Sequence, residues 1–441
     1  MNPRGPDSGT GRYAIVVLMV AVTMMSYVNR TAMSIVGPEV MKQFKLTPTE
    51  LGSIYSAFLL SYALLMVPGG WLADRFGPHR VVAIACLTTA LLTVMTALAG
   101  YATFHSALGA LLTFQIIRLL LGAATAPLFP ACGRLTATWF EKGRHAQVQA
   151  IVLGGSPLGA AITPIVLAPV VLWYGWQTAL YLCGAATILL SAIWWKAAIS
   201  ASPAQGAGER AAGGDWRSLL TNKTLFCLNA GYFALNYFEY IFFYWMYYYF
   251  GEIRKVGATQ SAVYTTILLL TMTVAMPTAG WFSDRLIPRY GATASRRAIS
   301  VGGMVLSAIL LFAGTRIENE FVMVGMLSLA LGFASAAEGP FWAATIDAAR
   351  SNAGAACGLL NGIGNAGGFL APIVTPYLAQ RAGWSAGMYF GSLVVFAGAA
   401  CWFFVPVRLD YVGRDCIPQA DFQSASLRSN STDETGQQKA D

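Results

Sequence analysis

The chain has 441 residues, 56 % apolar and only 11 % charged, less than half the charged fraction of about 25 % that a soluble globular chain carries. Its mean hydropathy of +0.56 and its apolar runs of roughly 20 residues, each enough to cross a bilayer, exclude a soluble enzyme, a secreted disulfide scaffold and a nucleic-acid-binding domain. The net charge of +8 does not mark a nucleic-acid partner, because the basic residues lie in short loops between apolar runs and not on one helix or face.

In chain order the pattern predicts membrane-spanning helices over 13–35, 50–71, 81–100, 106–130, 146–170 and 176–195, then over 224–248, 260–281, 298–315, 320–344, 352–378 and 384–405. Helices are required because backbone in lipid must satisfy its own hydrogen bonds, and the runs are too continuously apolar for barrel strands. The first run lacks a small-residue cleavage site and leads straight into further spans, unlike a signal peptide. The loops after even-numbered spans carry 14 Lys and Arg, against 6 after odd-numbered ones. That excess marks the cytoplasmic side and predicts both termini inside. The seven cysteines stand singly in no metal or disulfide pattern and read as small packing residues.

One break divides the chain. Residues 197–221 are rich in Gly, Ala and charge and predict a cytoplasmic linker between a six-helix bundle over 1–196 and a second over 222–407, with a disordered cytoplasmic tail over 408–441. The halves repeat: Gly70-Trp71-Leu72-Ala73-Asp74-Arg75 and Gly280-Trp281-Phe282-Ser283-Asp284-Arg285 lie 210 residues apart, and the same offset maps Gly122 onto Gly332, Pro130 onto Pro340 and Gly154 onto Gly364. Two parallel six-span halves form the architecture of a large class of secondary transporters.

The segment Gly70-x-x-x-Asp74-Arg75-x-Gly77-x-x-Arg80, with a degenerate copy at Asp284 and Arg285, resembles the loop 2–3 signature of the major facilitator superfamily. The segments Tyr27-Val28-Asn29-Arg30, Arg118 to Pro127, Gly339-Pro340-Phe341-Trp342 and Gly362 to Gly368 resemble its anion:cation symporter family. The resemblance covers about residues 12–405. It implies an all-α fold of 12 spans that carries sugar acids, phthalate or related carboxylates, usually with protons; the short loops suit a bacterial inner membrane. No enzyme activity, cofactor or metal is implied, the proton gradient being the energy source, and a monomer is expected.

Five ionisable residues fall at membrane depth or near a helix end: Arg30, Arg118, Glu239, Glu338 and Asp347. Such residues are costly and point to function. With no acid at depth in the first six spans, Arg30 and Arg118 offer guanidinium forks for a substrate carboxylate. The alternative is snorkelling or bonding to backbone carbonyls, and Arg30, near the outer end of its predicted span, reads equally as a gate residue. The family pattern usually has Asp where Asn29 stands and often Glu where Thr125 stands. Both are neutral here: they can hold a substrate hydroxyl but not take up a proton. Glu338, just before Gly339-Pro340, and Glu239, inside the aromatic seventh span, are then the proton-coupling candidates; Glu338 reads alternatively as an ion-pair or packing residue.

Tyr240 and Tyr244 share a helix face and either line the cavity or join an interfacial belt with Tyr247, Tyr248 and Tyr249. Asn361 and Asn365, four apart, bind hydroxyls or bridge helices, and Ser156 stands where relatives often keep a polar cavity residue. The three histidines fall at loops or loop edges and read as solvated. Asp74, Arg75, Arg80, Asp284 and Arg285 read as a conformational gate between rocking halves, or as plain loop charges. No nucleophile, metal cluster or phosphate-gripping loop is present, which excludes an embedded enzyme and a primary pump. A facilitator, an anion exchanger, or an exporter of an amphiphilic anion or lysolipid remains the rival to a proton-coupled importer.

Overall fold

The computed structural model describes residues 9–101, 106–140, 145–200, 221–349 and 353–405. The tail 408–441 and most of the linker lie outside these residues. The described residues form fourteen helices of at least 12 residues: α1 Gly9–Phe44, α2 Pro48–Phe76, α3 Pro78–Ala99, α4 Ala107–Thr125, α5 Leu128–Trp139, α6 His145–Tyr174, α7 Trp176–Ser200, α8 Lys223–Tyr248, α9 Ala258–Tyr290, α10 Ala292–Gly314, α11 Glu320–Ala336, α12 Glu338–Ala349, α13 Ala353–Ala382 and α14 Trp384–Ala400. The pairs α4–α5 and α11–α12 are each one interrupted span, the fourth and the tenth, so fourteen helices make twelve crossings.

Local chemistry sets the ends. Thr47 and Glu50 close a reciprocal capping box at the start of α2, with Pro48 in the first turn where its missing N–H costs nothing. Gly77 joins α2 to α3 at φ 88°, and Gly291 joins α9 to α10 at φ 81°, a conformation that favours glycine. The same joint therefore serves the same loop in each half. The fourth span breaks at Ala126 and Pro127, the tenth at Ala337, which is Pro127 shifted by the 210-residue repeat.

Two sequence expectations change, the place of Arg30 and the tyrosine belt. The first helix runs on to Phe44 with Pro38 inside it, so Arg30 lies mid-helix and not near an end. Eleven spans meet the length and apolarity of a membrane helix among the described residues. The seventh, α8, is long enough at 26 residues but carries tyrosines and asparagines that lower its hydropathy; it is buried almost throughout. Tyr247 and Tyr249 are buried in protein, which contradicts the interfacial-belt reading for them.

The halves are built alike. In the first, α1 packs along α6, α2 on α4 and α3 on α7; in the second, α8 packs along α13 and α11 on both α9 and α10. Between the halves α2 meets α13 and α6 meets α9. Leu64, Leu91, Ile116, Leu189, Val274 and Leu393 face outward, the apolar exterior a bilayer requires.

Candidate anion-binding site

Arg30 projects from the middle of α1 into the seam between the halves. Its Nη2 donates to the Tyr240 hydroxyl and its Nε to that of Tyr244 at 3.4 Å, both from α8. The guanidinium lies 5.0–5.5 Å from the ring centroids of Tyr27, Phe58, Tyr62 and Tyr240, an aromatic cage that attracts the cation without neutralising it. The Tyr240 hydroxyl passes a hydrogen bond on to Asn365 Oδ1 at 3.0 Å; Asn365 donates to the Asn361 carbonyl at 2.8 Å, and Asn361 Nδ2 reaches Met66 Sδ at 3.1 Å. A continuous polar chain thus runs from α1 through α8 and α13 to α2.

Arg118 on α4 is 2 % exposed. Its Nη1 makes one long bond, 3.5 Å, to the Asn29 carbonyl, and its Nε has no partner. The hydroxyls of Tyr244 and Tyr55 lie within electrostatic reach, and these two rings stack at 4.8 Å. Tyr244 is therefore a neighbour of both guanidiniums. Among the described residues neither arginine enters an ion pair.

The side chains of Asn29 and Thr125 are engaged away from this seam. Asn29 donates to the Met25 carbonyl and to Thr187, and accepts from Thr93; Thr125 donates to the Leu121 carbonyl and lies 3.3 Å from Thr89. Their polar atoms are spent joining the first, third, fourth and sixth spans. Ser156 is buried on α6 with an unpartnered hydroxyl.

Glu239 and Glu338 come together in the second half, their carboxyl groups side by side and within hydrogen-bond reach. Ser335 donates to Glu239 at 3.2 Å and Tyr232 to Glu338 at 2.7 Å, while Trp342 donates to the Tyr232 hydroxyl. Among the described residues neither carboxyl is ion-paired, so the cross-half ion pair considered for Glu338 does not form.

At the helix ends, Asp74 pairs with Arg134 at 2.5 Å, both in the first half. Arg75 lies over Trp71 and Phe76, Arg285 over Trp281, and Arg80 is exposed; the Asp284 side chain lies outside the described residues. A described ion pair that does join the halves, Lys42 with Glu252 at 2.8 Å, went unread in the sequence because both residues look like ordinary loop charges. His79 is partly buried and not a free loop side chain: it accepts from Trp139 Nε1 at 3.3 Å and packs beside Trp194. The other two histidines have no described side chains. Among the described residues no group of three or more His, Cys, Asp or Glu is placed to hold a metal ion.

A buried seam between repeated six-span halves, holding two cations without acids, is a carrier's architecture, and the Major Facilitator Superfamily profile matches residues 19–350 and 265–413. The chain belongs to the major facilitator superfamily. It is accordingly a transport protein and not an enzyme. Within the superfamily it is related to bacterial sugar-acid and anion permeases. It is 27 % identical over 390 residues to the probable sulfoacetate transporter of Cupriavidus necator, covering 84 % of this chain and 88 % of that one. It is 27 % identical over 404 residues to the probable galactarate/D-glucarate transporter of Escherichia coli, again covering 84 % and 88 %. In fold it is similar to a bacterial homologue of the human lysosomal transporter Spinster, crystallised inward-facing and occupied, with TM-score 0.77, 15 % identity and coverage of 90 % and 97 %. It is thus a multi-pass bacterial membrane protein of this superfamily.

Phe58 and Tyr62 of the cage around Arg30, and Tyr55, which stacks on Tyr244, were not singled out in the sequence, and Tyr27 was named there only within a motif. A signal existed: 55, 58 and 62 fall on one face of α2, and Tyr27 lies three residues before Arg30 on α1.

Proposed function

We propose that this superfamily member carries small organic anions across the cytoplasmic membrane by alternating access, as a monomer with both termini inside. The anionic group is held by Arg118 and Arg30, with Tyr240, Tyr244, Asn365 and Asn361 offering hydroxyl and amide partners. The observation that carries this reading is Arg118: a fully buried guanidinium with an unpartnered Nε and one long bond. An uncompensated cation at depth is costly until an anion arrives. The substrates for which those relatives are named, sulfoacetate and galactarate or D-glucarate, have the same chemistry, an oxyanion on a small polar body.

Asn29 and Thr125 carry no titratable group, so no proton is exchanged there, and transport through the first half is that of a facilitator or an anion exchanger. Coupling, where it occurs, falls to Glu239 and Glu338. With the termini inside, the Lys42–Glu252 pair closes the outer end. The inner loop residues Asp74, Arg75, Arg80, Asp284 and Arg285 act as the opposing gate, and residues 1–196 and 222–407 are the two rocking bundles.

The test is label exchange in proteoliposomes. Radiolabelled D-glucarate, D-galactonate and sulfoacetate are each offered against internal unlabelled compound, with the neutral polyol glucitol, organic cations and lysophospholipids as controls. Exchange of an acid but not of glucitol is expected. Exchange confined to lysophospholipids or cations would sink the small-anion reading and leave the fold with another cargo.

A further inference from the structure

We infer that Glu239 and Glu338 share a proton and form a proton-exchange site in the second half, displaced from the positions where the first half is neutral. The inference deepens the anion-carrier reading and rests on it.

Two carboxyl groups hydrogen-bond to each other only when one carries the proton, because an ionised carboxylate has no donor. The pair's other described partners are donors: Ser335 to Glu239 and Tyr232 to Glu338. That set suits a pair bearing one shared proton and one negative charge. Both groups are buried, at 2 % and 6 % exposure, and none of the described ion pairs neutralises them. Two full negative charges side by side in such a place would repel strongly.

The internal repeat supplies an independent argument. The 210-residue offset maps Asn29 onto Glu239, Arg30 onto Tyr240 and Thr125 onto Ser335. At the first copy Asn29 and Thr125 are tied to threonines and nothing titrates. At the second copy the equivalent residues, Glu239 and Ser335, are bonded to each other at 3.2 Å, and Glu338 stands three residues beyond Ser335, one past the break at Ala337. Arg30 and Tyr240, themselves repeat partners, bond across the seam. Each half thus supplies one charge type at matching places: the cation from the first, the acid from the second.

Proximity gives the coupling. The Tyr27 ring lies 5.1 Å from the Arg30 guanidinium, and Arg30 donates to the hydroxyl of Tyr240, the residue next to Glu239 on α8. An anion arriving on the arginines therefore comes close to the charge of the pair. Its presence favours a second proton on the pair, and by linkage that proton favours the anion equally. The proton comes from water on the open side, forms an O–H bond on the free carboxylate oxygen, and leaves by breaking that bond on the other side. The groups facing the pair are Tyr232 from the seventh span, Tyr27 from the first, and Ser335 and Trp342 from the tenth. On the ninth, Arg296 is taken by Asp347 and Arg297 donates to the Val405 carbonyl. No charged group of the eighth or eleventh span is among the pair's described partners.

The test uses the full chain in proteoliposomes with potential clamped and radiolabelled D-glucarate, D-galactonate and sulfoacetate as probes. It reads exchange without a pH difference, then accumulation driven by an inward proton gradient. Wild-type protein is expected to accumulate a probe by about tenfold per pH unit, the ratio for one proton per anion. Glu239→Gln and Glu338→Gln are each expected to lose the gradient-driven accumulation, while wild-type exchange at equal pH reports the anion site by itself. Wild-type exchange without any gradient response overturns the proton site and leaves the anion reading standing; absence of all exchange overturns both. A second readout needs no variant: the protonated-carboxyl C=O infrared band of the wild type is expected to grow when the transported probe is added. An unchanged band contradicts the proposal.

Discussion

Arg118 shows how much one residue can say when its surroundings are apolar. In a soluble protein an arginine with one long hydrogen bond is unremarkable surface chemistry; at membrane depth it is an unmet charge. Replacing it by methionine removes that cost, so the empty Arg118→Met protein is expected to melt higher than wild type, by a few degrees in differential scanning measurements. The same change is expected to weaken anion binding by about 2–5 kcal/mol, the range for truncating a buried charge partner, measured by titration calorimetry. Tyr240→Phe removes the hydroxyl that accepts from Arg30 and donates to Asn365. It is expected to weaken the same binding by about 1.5–3 kcal/mol, the value for hydrogen bonds to charged groups. Charged residues at depth are few, so Arg30, Arg118, Glu239 and Glu338 were legible in the sequence. The aromatic cage was not, because an aromatic among apolar residues on a span reads first as packing.

At the scale of the element, the seam closes through small residues. A Cβ on Gly52 would lie 1.9 Å from the Pro372 carbonyl oxygen, so α2 and α13 cannot come this close with any larger residue. Nearby, Ser56 donates to the Phe369 carbonyl at 2.6 Å. Gly52→Val is therefore expected to hold the Lys42–Glu252 end apart, read as a longer spin-label distance between the ends of α1 and α8, with label exchange abolished. Gly122→Val, whose Cβ would meet the Phe58 carbonyl at 2.2 Å inside the first half, is expected to lower the melting temperature instead. The span count and most boundaries were legible because apolar runs of bilayer length have one solution. The run of α1 to Phe44 was hidden by Gly37 and Pro38, which usually end helices but are carried inside this one. Burial of Tyr247 and Tyr249 could not be read from spacing, since a belt and a packed seam share the same aromatic pattern.

For the whole molecule, the duplication is the organising fact: two copies of one bundle have diverged so that one holds cations and the other holds acids. The 210-residue offset made the architecture legible from a handful of matches, while the pairing of Glu239 with Glu338 needed the fold, because the two lie 99 positions apart in the chain. The Lys42–Glu252 pair that joins the copies has side chains 56 % and 32 % exposed, so it contributes no more than about 1 kcal/mol. Glu252→Lys is expected to shift the open-to-closed ratio of that end by at most about fivefold, read by single-molecule energy transfer. The double exchange with Lys42→Glu is expected to restore it, and high salt to mimic the single variant.

The central claim is that the uncompensated Arg118 is where the anion goes. Its most direct test is a paired melting experiment on detergent-purified wild type and Arg118→Met, each with and without D-glucarate, D-galactonate, sulfoacetate and the neutral glucitol. A bound anion raises the melting temperature of the form that binds it. The expected result is a rise with at least one acid and none with glucitol for wild type, and no rise with any compound for a variant that melts higher when empty. A variant that keeps the anion-dependent rise would contradict the claim.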